Sequence, residues 1–184
     1  MNMVVDKPLV YSKDREVINA DAIQWLKSIS SLKGSILCGL PDISELLTQL
    51  PGPDLKCKCP FYKEWFVSTV ELLLEKLEEG EYSIFYQTDS KISNSDGTIV
   101  EWIDKSFLCN SVAQRLNCTL CWHKISNNFE DGVLSNRPSY SHLLCFVKGK
   151  PTYHTTSFVI PDIIDRGFMH WPNAMGLEAC IHMT

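Results

Sequence analysis

The sequence predicts an α/β fold, a mainly parallel sheet whose strands are joined by helices. Short apolar runs of strand length fall at 35–38, 82–87 and 120–125. Stretches of helical periodicity separate them, at 61–79 and 104–116. The resulting order, strand, helix, strand, helix, strand, is the one that parallel strands with right-handed crossovers require. A chain of 184 residues, 45% of them hydrophobic, suits one domain with a packed core.

The elements follow in order. Residues 1–15 read as a flexible start that precedes the domain at 16–184. Residues 20–30 are helical in pattern, with Ile23, Leu26 and Ile29 on one face and Asp21 in the first turn or at the cap. Ser35-Ile36-Leu37-Cys38 reads as a buried strand broken by Gly39-Leu40-Pro41. Asp42-Ile43-Ser44-Glu45 has capping-box spacing and announces a helix. Three prolines and a glycine make 51–60 a loop. The helix at 61–79 carries the stripe Trp65, Phe66, Val70, Leu73, Leu74 and Leu77, which reads as core, and Gly80 stops it. A strand at 82–87, a turn at Asn94-Ser95-Asp96-Gly97 and a helix near 104–116 come next. Asn117-Cys118 is a break before the strand at 120–125. Residues 126–139 are polar and loop-like, 143–147 form a fourth strand, and the chain is then irregular until a helix starts at Asn173. There is no internal repeat or low-complexity segment.

A net charge of −5 argues against a protein that coats nucleic acid through bulk positive charge, and it leaves a local basic cleft open. No apolar run approaches membrane-spanning length and none near the start resembles a signal peptide. The expectation is a soluble intracellular protein, in cytoplasm or nucleus, with no membrane partner. Its eight cysteines then default to reduced thiols. Cys38, Cys109 and Cys145 sit in apolar runs as core residues. Cys57/Cys59 and Cys118/Cys121 are close pairs, but their spacing matches no familiar zinc finger, and an odd offset on a strand sends two side chains to opposite faces. No metal site is expected. Gly34 and Gly39 lie five apart with no Lys-Ser/Thr behind them, so a nucleotide-hydrolase loop is unsupported. No Gly-x-Ser-x-Gly points to a hydrolase.

Taken in order, several motifs resemble the nucleic-acid amino-methyltransferases, adenine- and cytosine-directed, of the permuted class in which the catalytic half comes first. Ile18-Asn19-Ala20-Asp21 with Trp25-Leu26 fills the place of an opening "gD…L" segment. The strand at 35–38 leads into Gly39-Leu40-Pro41-Asp42, at the place of a catalytic Asp-Pro-Pro-Tyr turn. Trp65 and then Gly80 precede the next strand, as in the family. Trp122-His123-Lys124 matches a Trp-x-Lys strand, and His142 introduces the next one. His170-Trp171-Pro172-Asn173 loosely echoes a late His-Pro segment that opens a helix. The resemblance covers about 160 residues, 16 to 178. It implies a Rossmann-like methyltransferase sheet with one antiparallel strand, the methyl donor S-adenosylmethionine as cofactor, and RNA or DNA as substrate. Two departures stand out. Gly39 has no side chain to accept a bond from an amine, and Asp42 replaces the aromatic residue. A glycine-rich donor turn is also missing, since Gly167 and Gly176 are the only glycines after Gly149. The expected sheet is therefore incomplete, with the donor-binding half missing and an open edge beside 35–38 through which the chain would pair with itself or another protein. An enzyme and a non-catalytic binding or scaffolding subunit both remain open, as does a truncated fragment without activity alone.

Ligands gather at the carboxyl ends of parallel strands. Pro41 and Asp42 follow the first strand, Gln87, Thr88 and Asp89 the second, and Lys124 ends the third. Arg137 to His142 lead into the fourth, whose start shares that edge if it runs antiparallel. Asp42 serves as a helix cap, as the group that orients or deprotonates a nucleophile, or as both. Gln87 and Asp89 would read a base, or simply close the strand. Lys124 and Arg137 suit phosphate, the guanidinium better because it bonds in two directions. His142 is either a satisfied buried histidine or a substrate contact. Tyr140 and Trp171 are stacking or packing aromatics. On the resemblance, Trp171, Pro172 and Asn173 would contact the donor.

Overall fold

The computed structural model describes residues 9–12, 15–94, 96–127 and 140–150. Its elements are β1 (Leu9–Ser12), β2 (Arg15–Val17), α1 (Ala22–Ser28), β3 (Ile36–Cys38), α2 (Leu55–Lys76), β4 (Tyr82–Gln87), β5 (Ser90–Ser93), β6 (Ile99–Ile103), α3 (Lys105–Arg115), β7 (Cys118–Asn127) and β8 (Tyr140–Lys148). The fold is mixed α/β. The main sheet has the order β3-β4-β8-β7. β3 runs parallel to β4, with Ile36 opposite Ser83 and Cys38 opposite Phe85. β8 is antiparallel to both β4 and β7. Three of these strands thus share one direction and β8 opposes them, as expected. Because β8 inserts between β4 and β7, two of the three pairings are nevertheless antiparallel. Among the described residues β3 pairs on one side only.

Aspartates start the helices. Asp21, Asp54 and Asp104 each accept a backbone N–H from the first turn, of Gln24, Cys57 and Phe107 respectively. Asp42 does the same for Ser44, and Glu45 reaches back to the Asp42 N–H at 3.0 Å, which completes the capping box. The helix behind that box is only a 3-10 turn, Ile43–Glu45, because Ile43 and Leu46 are drawn into the core before a second turn can form.

The expected loop at 51–60 is shorter than read: α2 already begins at Leu55 and holds Pro60 inside it. Proline costs one helical hydrogen bond, the one Lys56 C=O would accept. Pro60 is exposed, and the flanking Cys59 and Tyr62 are fully buried, so packing on one face outweighs the lost bond on the other. The rest of the stripe behaves as its spacing requires. Phe66, Val70, Leu73, Leu74 and Leu77 are buried, with Trp65 partly so. They meet Cys109, Val112 and Ala113 of α3 and Phe85, Leu144 and Phe146 of the sheet. Each such large apolar side chain contributes about 1.5–3 kcal/mol by leaving water. Cys38 is only half-buried, since it lies on the edge strand.

Two hairpins lie where the sequence suggested none. β1 and β2 pair antiparallel, Leu9 opposite Val17, so that the hairpin crosses the boundary of the flexible start read at 1–15. β5 and β6 pair across the Asn94–Gly97 turn, with Ile92 and Ile103 buried beneath them. Gly97 takes φ 83 there, a conformation that glycine adopts without strain.

Candidate functional site

Five segments converge at the carboxyl ends of β3 and β4. The turn after β3 supplies Pro41 and Asp42. The link from β4 to β5 supplies Gln87, Asp89 and Ser90. Trp102, Asp104 and Lys105 come from the end of β6 and the start of α3. Tyr140 and His142 open β8, and His123 reaches in from β7.

Asp42 is the organising anion. Its Oδ1 accepts from Ser44 N and Ser44 Oγ, each at 3.0 Å. Its Oδ2 accepts from Lys105 Nζ at 3.0 Å and from Ser90 Oγ. A carboxylate accepts about four hydrogen bonds, so Asp42 is saturated. Burial is the strongest single influence and favours the protonated form. The bonds from Ser44, Ser90 and Lys105 together outweigh it and hold the Asp42 carboxyl below the usual carboxylate range. Pro41 offers its carbonyl to the Tyr62 hydroxyl at 2.9 Å. Burial, reinforced by Asp42 and Glu45, pushes the Tyr62 phenol up, so it remains a donor.

Asp89 is the second anion, and unlike Asp42 it is buried, 3% exposed. Oδ1 accepts from Lys105 N at 2.9 Å and Oδ2 from Trp102 Nε1 at 3.0 Å, with the Tyr140 hydroxyl at 3.4 Å. Burial again opposes its charge. The nearby His142 ring, with the bonds from Trp102 and Lys105, lowers the pKa despite it. His142 Nε2 stands 3.5 Å from Asp89 Oδ2, too far and too poorly aligned for a good hydrogen bond. His142 Nδ1 is 3.0 Å from His123 Nε2. Burial first, and His142 next, push His123 below its ordinary value. The Tyr140 ring packs edge-on against His142, 5.3 Å between centroids. Gln87 is opposite His142 in register and 2% exposed, and its amide nitrogen has no partner. Buried polar atoms without partners are uncommon, and two lie together here.

Of the expected site residues, Gln87 lies opposite His142, His142 faces Asp89, and Lys105 links Asp89 to Asp42. Lys124 is a correction. It is buried opposite Leu143, whereas His142 is the next residue along β8 and faces the other side of the sheet. Alternation along the pleat separates the two. Nor does Lys124 end its strand, since β7 continues to Asn127. Arg137, Trp171, Pro172 and Asn173 lie outside the described residues, as does the helix expected at Asn173. Sequence reasoning missed Lys105, Ser90, Trp102 and His123. A lysine directly after a capping aspartate looks solvated, yet Lys105 is 2% exposed. The run Asp89-Ser90 was legible as polar but not as a shelf for a second anion.

Among the described residues no glycine turn cradles a methyl donor. Gly39 follows β3 without a left-handed backbone, and a Cβ there would meet Tyr86 O at an ordinary 3.5 Å.

No protein-family model matches the sequence, and no curated protein matches it. Solved structures do. The Thermus thermophilus protein TTHA0409, "Putative DNA Modification Methylase", complexed with S-adenosyl-L-methionine, superposes with a TM-score of 0.56 at 14% identity, covering 89% of this chain and 71% of that one. The same protein without the complex gives 0.53 at 13% identity, over 89% and 72%. PvuII DNA methyltransferase, cytosine-N4-specific, gives 0.50 at 11% identity, over 72% of this chain and 48% of that one. At these identities the likeness is one of fold alone, a fold shared with these solved structures.

Proposed function

We propose that this chain is a methyltransferase-like protein whose carboxyl-edge cluster receives a base of RNA or DNA, with S-adenosylmethionine as the methyl donor of the complete reaction. The observation that carries the reading is the pair of buried, unpartnered side-chain nitrogens on Gln87 and His142, opposite each other in register, with Asp89 3.5 Å from His142, at the edge where such sheets hold ligands. Gln87 offers an amide to a base edge. Asp89 and His142 form the wall behind it, and Tyr140 lies alongside as a stacking surface. Pro41 and Asp42 fix the turn above the base. Arg137 would hold phosphate, and Trp171, Pro172 and Asn173 would contact the donor. The described residues do not fit the donor. Their part is the acceptor side: binding and orienting the base.

A second reading is a non-catalytic binding or scaffolding subunit. The saturation of Asp42 favours it, because a carboxylate that already accepts four bonds is a poor general base. One experiment serves both readings. The protein is titrated with single-stranded RNA and DNA oligonucleotides, and parallel samples receive tritiated S-adenosylmethionine. Oligonucleotide binding that Gln87→Ala weakens supports the base site. Label transfer then assigns catalysis, and binding without transfer assigns the subunit role. Absence of binding to either nucleic acid refutes the proposal.

A further inference from the structure

We propose that Asp89, Asp104 and His142 form a site for one divalent transition-metal ion of the zinc type. The inference goes beyond the base-binding reading and does not depend on it. One ligand atom from each residue lies within 4.8 Å of the other two. The independent sign is His142 Nε2. Its side chain is 7% exposed, it has no hydrogen-bond partner, and it points at Asp89 Oδ2 from 3.5 Å. That spacing is long for a hydrogen bond. It is the spacing of two ligands on one tetrahedral ion, since bonds of about 2.0–2.2 Å place their ends about 3.4 Å apart.

The surroundings favour an ion. His142 Nδ1 lies 3.0 Å from His123 Nε2, which fixes the ring and leaves Nε2 facing the Asp89 carboxylate. Two of the three ligands, Asp89 and Asp104, are carboxylates, and the Lys105 ammonium pairs with Asp42 and with neither of them. A divalent cation offsets their two charges.

Each ligand is also held from behind, as metal ligands are. His123 fixes the His142 ring. Trp102 Nε1 and Lys105 N hold Asp89. Ser106 Oγ and Phe107 N hold Asp104 Oδ1 at 2.7 and 2.8 Å, which leaves its other oxygen for the ion. Asp104 is exposed, so its carboxylate can close the last part of the gap. Two oxygens and one imidazole nitrogen suit zinc, cobalt or manganese better than calcium or magnesium. Three protein ligands leave a fourth position open.

The test is titration of the metal-free chain with cobalt(II), followed by visible absorption and without nucleic acid. Nitrogen and oxygen ligation gives weak d–d bands and no sulfur-to-cobalt charge-transfer band, which separates this site from the cysteines. One cobalt per chain is expected, displaced by zinc. Asp104→Ser keeps a good helix cap and removes a ligand. It is expected to weaken cobalt binding by at least about tenfold while leaving the metal-free melting temperature in place. His142→Gln should abolish the d–d bands. Absence of saturable binding at millimolar cobalt, binding through thiolate, or binding that Asp104→Ser leaves unchanged would overturn the proposal. None of these results bears on whether oligonucleotides bind.

Discussion

Asp42→Asn separates a cap from an ion pair. On sequence alone this substitution should change stability little, because asparagine caps a helix as well as aspartate does. The structure changes that expectation. Asp42 receives four donors, one of them the ammonium of Lys105, whose side chain is 2% exposed. An asparagine can turn its oxygen to Ser44, but then its own NH2 meets Lys105 and Ser90 donor to donor. Ser90 can rotate its hydroxyl and accept. Lys105 cannot, and stays buried without a counter-charge. Removing one partner of a fully buried pair costs about 3–5 kcal/mol. Asp42 itself is 33% exposed, which screens the pair, and Lys105 keeps the Tyr62 ring at 5.6 Å. The expected loss is therefore about 2–3 kcal/mol, or roughly 4–12 °C in melting temperature for a chain of this size. Lys105→Met should cost less, about 1–2 kcal/mol, because the orphaned carboxylate reaches water. The double variant should then be more stable than the sum of the two losses implies. The assay is a double-mutant cycle by circular dichroism at neutral pH. If Asp42→Asn melts within about 2 °C of the parent and the cycle is additive, the ion pair contributes nothing and Asp42 is a cap alone.

Two further outcomes follow from the same geometry. Asp42 and Asp89 have folded pKa values below their unfolded ones. Their contribution to stability is therefore complete above the unfolded value of about 3.9 and is lost as pH falls through the lower folded values. Melting temperature should be flat with respect to these groups above about pH 5 and drop below about pH 4, with a shallower drop in Asp42→Asn. Pro60→Ala restores a donor to the Lys56 carbonyl inside α2 and should stabilise by about 1–2 kcal/mol after the unfolded chain's gain in freedom is subtracted. A lower denaturation midpoint in urea would show that Pro60 is packed and not merely tolerated.

Local chemistry was legible and register was not. The caps at Asp21 and Asp42 and the strand Tyr82–Gln87 could be read from residue type and spacing, because each depends on neighbours in sequence. The convergence of Asp42, Gln87, Asp89 and His142 followed from the rule that strand ends gather at one edge. The face of Lys124 could not be read, since it depends on where β7 slips against β8, between Leu120 and Trp122. β5 escaped notice because Ser90-Lys91-Ile92-Ser93 has one apolar residue, and only pairing with β6 reveals the alternation. Lys105 escaped because a charged residue in a first helical turn is ordinarily solvated. Its ammonium is held by Asp42, 63 residues away in sequence, and its backbone N–H by Asp89, 16 residues away.

The two carboxylates therefore divide their work by what surrounds them. Asp42 has the position of a catalytic turn, but its acceptor positions are filled by its own helix, by Ser90 and by Lys105. Any group that took a bond from Asp42 would have to displace one of these, and displacing Lys105 would leave a buried cation unpaired. Asp89 accepts fewer strong bonds and stands beside His142 Nε2, across from which lies Gln87, and neither His142 Nε2 nor Gln87 Nε2 has a hydrogen-bond partner. The cost of bringing a ligand to Asp89, whether a base edge or a metal ion, is lower, because the polar atoms there gain bonds and lose none. A substitution that leaves Asp42 intact and alters Gln87 or His142 should thus change ligand binding more than stability. Asp42→Asn should do the reverse.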